Sequence, residues 1–288
     1  MNVHPTRPLA GVVVLLATLP LRAQYAGEVI SYTPGTGVAT EFGSGLPYSL
    51  TEAALGEPSR VTPGMFGGPV DPFAPPYLRE QLLSVGAGGS VTVKFSQPIE
   101  DSPSNPFGVD FQVFGGSGFV VTNAFAEDFS YIGTPATDGS LFGAQEGASR
   151  IFVSADGVTF YQLDTALARP VDGLFPTDGL GNFGVPVDPA FTELTFAGKS
   201  LAEIRALYAG SGGGMGYDLA WARNDNGEAV SLGAISYVRV EVLSGRAEID
   251  GFSAVAAVPE PATWALLATG AGLLALHGRQ RKNDRFRP

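Results

Sequence analysis

The chain has 288 residues, with 28 Asp and Glu against 17 Lys and Arg for a net charge of −11, no Cys, and only two His, His4 and His277. With no thiol or imidazole between those ends, Ser-His-Asp and Cys-His nucleophilic sites and His or Cys metal sites are excluded from the body, leaving carboxylate, Lys or Tyr chemistry. Electrostatic repulsion excludes nucleic acid as a partner.

The N-terminus reads as an export signal. Arg7 precedes an apolar run over residues 9–19, Pro20 breaks it, and Ala23 supplies the small residue that signal cleavage needs. Residues 1–24 are therefore expected to be a signal helix, with the mature chain starting near Gln24 or Tyr25. The run is too short for a permanent span. Seven of the 17 cations but two of the 28 carboxylates fall in residues 1–24 and 258–288, so residues 25–257 hold 10 cations against 26 carboxylates, a net −16. Such a surface favours solubility and suits divalent cations, which take hard oxygen ligands. Without disulfides the body must rely on core burial, which suffices at this length.

Residues 51–77 are rich in Pro and Gly, yet contain Met65, Phe66, Phe73 and Tyr77. Those apolar side chains predict a long ordered arm lying on the body, not a linker. Period-two alternation then dominates. In residues 90–95, Val91, Val93 and Phe95 alternate with Ser90, Thr92 and Lys94; in 237–243, Val238, Val240 and Val242 alternate with Arg239 and Glu241. Each pattern predicts a half-buried strand. Segments 150–154 and 158–163 flank Ala155-Asp156-Gly157 and predict a hairpin with a tight turn. Further strands are expected at 110–114, 119–122 and 248–255. The one convincing helix begins at Ser200, which forms a capping box with Glu203 ahead of Leu201, Ile204 and Tyr208, and should stop at Gly210.

Three loops invite chemistry and read better as plain structure. The glycine-rich stretch 210–216 follows a helix and lacks the Lys-Ser or Lys-Thr ending of a phosphate cradle, so a flexible loop is expected. Residues 224–228 lack the full register of a calcium hand and read as a turn. Leu163-Asp164-Thr165-Ala166 lacks the glycine of an aspartic-protease loop and reads as a strand end. No repeat of 20 to 50 residues is visible, which disfavours propellers and solenoids.

The blocks 89–95, 109–114, 152–161, 216–220, 237–240 and 248–255, in that order, resemble bacterial surface proteins with a discoidin-like or galactose-binding-like jelly roll. The resemblance implies a single all-β body over residues 25–257, an antiparallel β-sandwich with one short helix and with binding loops at the strand ends. Gly115-Gly116-Ser117-Gly118 departs from it, standing where acidic and amide residues are expected. The carboxylates beside strands, Asp71, Asp101, Asp110, Asp218 and Asp250, are the candidate Ca2+ ligands, although Asp218 and Asp250 equally suit turns. Tyr77 and Tyr217 are the candidate sugar-stacking platforms; for Phe125 core packing is the safer reading, while Tyr131 and Trp221 are ambiguous.

The C-terminus is the second address. Val258-Pro259-Glu260-Pro261 leads into fifteen apolar residues, 262–276, and then into Arg279, Arg281, Lys282, Arg285 and Arg287. Fifteen residues fall short of the roughly 20 that cross a hydrocarbon core, which suits a tail helix held only until it is cut, its cations kept at the cytoplasmic face. This tail, residues 258–288, resembles a PEP-CTERM sorting signal. The resemblance implies an exosortase-type membrane peptidase acting near Pro259–Pro261, in a Gram-negative bacterium that makes extracellular polysaccharide. The combined expectation is transient insertion in the inner membrane, then a non-catalytic protein at the cell surface or outside, binding carbohydrate with Ca2+. A purely structural surface component, or a carboxylate-dependent glycan hydrolase or lyase, are the alternatives.

Overall fold

A computed structural model describes residues 24–65, 67–127, 131–143 and 147–255. Ala23 and the signal helix, and the tail with Val258, Pro259, Glu260, Pro261, Arg279, Arg281 and Lys282, lie outside the described residues, as does Phe66. No described helix is long and apolar enough to cross a membrane.

The described chain is mostly β. In order it forms β1 (Ala26–Thr33), β2 (Val61–Thr62), β3 (Gly68–Pro69), β4 (Leu83–Gly86), β5 (Ser90–Glu100), β6 (Phe111–Gly115), β7 (Gly118–Val121), β8 (Thr137–Phe142), β9 (Ala148–Ser154) and β10 (Tyr161–Leu163). Helices α1 (Glu193–Phe196) and α2 (Leu201–Tyr208) follow, then β11 (Met215–Tyr217), β12 (Ala222–Arg223), β13 (Ala234–Ser244) and β14 (Arg246–Ala254). Six strands form one antiparallel sheet in the order β1-β5-β13-β9-β10-β12, and four form a second in the order β11-β6-β14-β4. The ribbons β2-β3 and β7-β8 stand apart.

The alternation predicted for β5 and β13 explains the core. Val91, Val93 and Phe95 of β5 and Val238, Val240 and Val242 of β13 point inward, where they meet Leu83, Val85, Phe111, Val113, Ile249 and Phe252 of the second sheet. On the outer face Arg239 donates to Thr92 Oγ1 at 3.0 Å and lies 3.8 Å from the centre of the Phe160 ring. The second sheet is different, because β6 is buried at every position and β14 at nearly every one. Its outer face is covered by the connection that contains Phe183, whose ring meets Phe114 edge-on at 5.0 Å and whose carbonyl accepts from Gln112 Nε2 at 2.8 Å and from the Ser253 hydroxyl. Covering both faces explains why polar side chains sit in these strands and must find partners inside the protein.

Four local expectations change. The 154–160 connection is wider than a tight turn: Tyr161 pairs with Val153, and the Asp156 carboxylate organises the loop by accepting from the backbone of Val158 and Thr159 at 2.8 Å each. Helix α2 has its capping box, with Ser200 Oγ accepting from Glu203 N and the Glu203 carboxylate accepting from Ser200 N at 2.9 Å, but it stops at Ala209 in the left-handed conformation (φ 51°), one residue before Gly210. The loop after it is packed, not flexible: a Cβ on Gly212 would lie 2.3 Å from the Phe183 ring, and one on Gly213 2.3 Å from the Pro176 carbonyl. In the 51–77 arm, Val70, Pro72, Pro75 and Pro76 are buried, whereas Met65 is 87% exposed.

Candidate functional site

Strand pairing brings three of the five predicted carboxylates together. Tyr217 of β11 pairs with Phe111 of β6, which sets Asp218 and Asp110 side by side at one end of the second sheet, and the Asp110 amide donates to the Tyr217 carbonyl at 2.8 Å. Asp101 arrives from the end of β5 in the other sheet. One carboxylate oxygen from each of Asp101, Asp110 and Asp218 lies within 4.8 Å of the others. Gly108, in the left-handed region (φ 72°), leaves room there, since a Cβ on it would sit 3.2 Å from Asp218 Oδ2.

The three carboxylates are not equivalent. Asp110 is buried; its Oδ1 accepts from Ser102 N at 3.0 Å and Asn105 Nδ2 at 2.9 Å, and its Oδ2 from Leu219 N at 2.9 Å. Burial pushes its carboxyl up to about 6, with the charges of Asp218 and Asp101 adding to the rise and the backbone bonds from Leu219 and Ser102 opposing it. Asp218 Oδ1 caps the following turn by accepting from Ala220 N at 2.7 Å, and burial pushes this carboxyl up too. Among the described residues no Lys or Arg pairs with any of the three. Asp110 is thus a loop anchor, while Asp101 and Asp218 Oδ2 have coordination capacity to spare.

Asp250 lies elsewhere. Its oxygens accept from Ser59 N at 2.8 Å and Ser59 Oγ at 2.7 Å, so it pins the 51–77 arm to β14, and burial pushes it up to about 7. Tyr217 corrects the expectation of a sugar platform. It is fully buried, stacked on Phe111 with ring centres 5.3 Å apart, and its hydroxyl donates to the Arg169 carbonyl at 2.9 Å, because β11 turns this position toward the core. Phe125 departs from the core expectation in the other direction: it is 58% exposed and packs on Tyr131 at 4.6 Å.

Asp71 and Tyr77, by contrast, meet. Both line a hollow of about 400 Å3 between the β2-β3 ribbon, the turn that follows it, and Phe142 at the end of β8. Asp71 Oδ1 accepts from Phe73 N at 2.8 Å and Ala74 N at 3.0 Å. The backbone of Tyr77 is held by Tyr48, whose hydroxyl donates to its carbonyl at 2.7 Å.

A larger cavity of about 560 Å3, with walls including Leu141, Val171, Leu174 and Met215, was not legible in the sequence. Asp172 lies in its wall in the left-handed conformation (φ 56°). Its Oδ1 accepts from Ser117 N at 2.7 Å and its Oδ2 from Glu248 N at 3.2 Å. Only glycine fits at 115, since a Cβ there would lie 2.3 Å from Asp172 Oδ1. Burial, reinforced by the charge of Glu248, pushes Asp172 up to about 8, whereas Glu248, also raised by burial, is paired with Arg246 at 3.1 Å.

Fold and sites together define a mostly β body, without His or Cys, in which Asp172 lies in the wall of the 560 Å3 cavity and Asp71, Phe73, Tyr77 and Phe142 line the 400 Å3 hollow. The tail places this body in the cell. Residues 257–282 match the family model described as the PEP-CTERM protein-sorting motif. The motif marks the chain as an exosortase substrate, processed by a membrane protease and exported to the cell surface. Among curated proteins none matches the chain.

Proposed function

We propose that this is a non-catalytic surface protein, inserted transiently in the inner membrane, cut by an exosortase-type peptidase and then associated with the extracellular polysaccharide of a biofilm matrix. The sorting motif carries the reading. In it, Val258-Pro259-Glu260-Pro261 is the processing segment, and Arg279, Arg281 and Lys282 hold the tail at the cytoplasmic face. Mass spectrometry of the protein from its native host tests this: the mature C-terminus should fall near Pro261 and the N-terminus next to Ala23, and an intact chain in the cytosol would refute it.

For the body, a galactose-binding-like jelly roll that binds carbohydrate is the reading that best joins the two-sheet architecture to the hollow containing Tyr77. Ca2+ would sit at Asp101, Asp110 and Asp218, whose clustered oxygens a divalent ion would hold while relieving the repulsion among three carboxylates. Glycan-array binding with and without a chelator checks both. A second reading, a carboxylate-dependent glycan hydrolase, draws on Asp172, a carboxyl pushed up to about 8 in the wall of the 560 Å3 cavity. Release of reducing sugar from exopolysaccharide, abolished by Asp172→Asn, would replace the binding reading with this one.

A further inference from the structure

The outer face of the six-stranded sheet collects cations on a body that is otherwise acidic. Strand pairing fixes which side chains stand there, because directly opposed residues point to the same face. Arg239 of β13 opposes Thr92 of β5 and Phe152 of β9, Phe152 opposes Gln162 of β10, and Gln162 opposes Arg223 of β12. Two positions away along β13, Tyr237 opposes Lys94 of β5 on one side of this row, and Glu241 opposes Arg150 of β9 on the other. Four of the ten cations in residues 25–257 therefore share one face, Lys94, Arg239, Arg150 and Arg223, each from a different strand. The carboxylates beside them are Glu241, Asp164 and, opposite Lys94 on the edge strand β1, Glu28. Four cations against three carboxylates reverse the balance of a body that holds 10 against 26.

These cations are also less engaged than others in the body. Arg60, Arg205 and Arg246 lie 2.7 to 3.1 Å from carboxylate oxygens. On the sheet face Arg239 is 3.9 Å from Glu241 and Arg223 is 3.3 Å from Asp164, and among the described residues Lys94 and Arg150 are in no ion pair. All four can be reached from solvent: Arg150 is exposed and the other three are half-buried. Aromatic rings lie among them, with Lys94 Nζ 5.6 Å from the centre of the Tyr237 ring and the Arg239 guanidinium 3.8 Å from that of Phe160. Such contacts hold a cation in place without neutralising it. At the β12 end of the row Phe152, Gln162, Asp164, Arg223 and Asn224 line a hollow of about 410 Å3. With strands about 4.8 Å apart, the cations from β5 to β12 span roughly 19 Å across the sheet, which suits an extended polymer better than a single small molecule.

We propose that this face binds an acidic polysaccharide, the polymer running across the strands with its carboxylates against Lys94, Arg239, Arg150 and Arg223 and the face of a sugar ring on Phe152. The inference rests on the carbohydrate reading above and gives it a polymer class and a surface other than the hollow at Tyr77. Charge density favours a glycan over nucleic acid. A uronic acid polymer carries one carboxylate per ring, whereas duplex DNA carries one charge per about 1.7 Å of axis and is repelled more strongly by a body of net −16.

Affinity electrophoresis of the exported protein through gels containing polygalacturonate tests it, with chelator present so that no divalent ion bridges protein and polymer. Polygalacturonate should retard the protein, less so as salt is added, and its methyl ester, which keeps the rings and removes the charge, should not. Lys94→Gln combined with Arg150→Gln should weaken binding about tenfold with the melting temperature unchanged, and Lys94→Arg combined with Arg150→Lys should retain it. Where the glutamine variant does not fold, the comparison of polymer and ester on the unmodified protein decides. No retardation by polygalacturonate, equal retardation by the ester, or unchanged binding in the folded glutamine variant overturns this surface while leaving carbohydrate binding intact. Stronger retardation by duplex DNA, or a concentration-dependent dimer abolished by the same glutamine substitutions, gives the face to another partner and overturns the proposal as well. Failure of the unmodified protein to bind any glycan on an array overturns the carbohydrate reading and this surface with it.

Discussion

Burial, more than any neighbouring charge, decides how the acidic side chains of this protein behave. Asp110, Asp250 and Asp172 are pushed up to about 6, 7 and 8. Each therefore holds its proton in the folded state over a range where the unfolded chain, near 4, has lost it. The folded state binds more protons across that window, so stability falls as pH rises from about 4 toward 8. Exposed carboxyls shifted the other way, such as Asp156 and Glu203, which accept backbone hydrogen bonds, lose their contribution only as pH falls below about 4. The melting temperature should accordingly be higher at pH 5 than at pH 8, and Asp172→Asn should flatten the difference. A melting curve that is flat or rises across this window in the unmodified protein would contradict the assignment. Calcium is expected to act at the Asp101, Asp110 and Asp218 cluster: at about a hundred times its Kd it should stabilise by about 2.7 kcal/mol, reversed by chelator and lost in Asp101→Asn with Asp218→Asn. Asp110→Asn is the wrong control, because that side chain also anchors residues 102 and 219.

Helix α2 shows how a locally encoded element depends on distant partners. Its capping box could be read from Ser200 and Glu203 alone, and Ser200→Ala should cost about 1 kcal/mol in denaturant unfolding. Its docking could not be read that way. Arg205 reaches Asp178 with two bonds, 2.7 and 3.0 Å, and Asp178 is 2% exposed. Arg205→Ala leaves a buried carboxylate unpaired and should cost on the order of 3 kcal/mol, well above the cap, with Arg205→Lys recovering part of it. Equal losses for the two substitutions would mean that the pair is effectively solvated. The strands follow the same division. Alternation revealed β5 and β13, whereas β4, β11 and β12 are too short, at four residues or fewer, to show a period.

At the scale of the whole molecule, the last two strands are internal. β13 lies between β5 and β9, and β14 between β6 and β4, so neither sheet closes until the end of the body has been delivered. Gln24, the expected first residue of the mature chain, accepts from Ala254 N at 2.7 Å, and Val255 N donates to the Asp110 carbonyl at 2.8 Å. Residues 24 and 255, the two ends of the described body, thus lie at one corner, beside Asp110. A chain ending at Val255 should melt like the full body, whereas one ending before residue 246 should show no cooperative transition by circular dichroism; cooperative melting of the shorter chain would contradict this. The sequence by itself determined the sorting motif of the tail, the absence of imidazole and thiol chemistry from the body, the alternating strands and the cap of α2, because each is written in neighbouring residues or in a short period. Only the tertiary structure decided which side chains meet. Asp101, Asp110 and Asp218 converge, Asp250 goes to Ser59, Tyr217 is buried, and Thr62 joins Asp71, Tyr77 and Phe142, because strand pairing and loop covering join segments tens to hundreds of residues apart, beyond the reach of any local pattern.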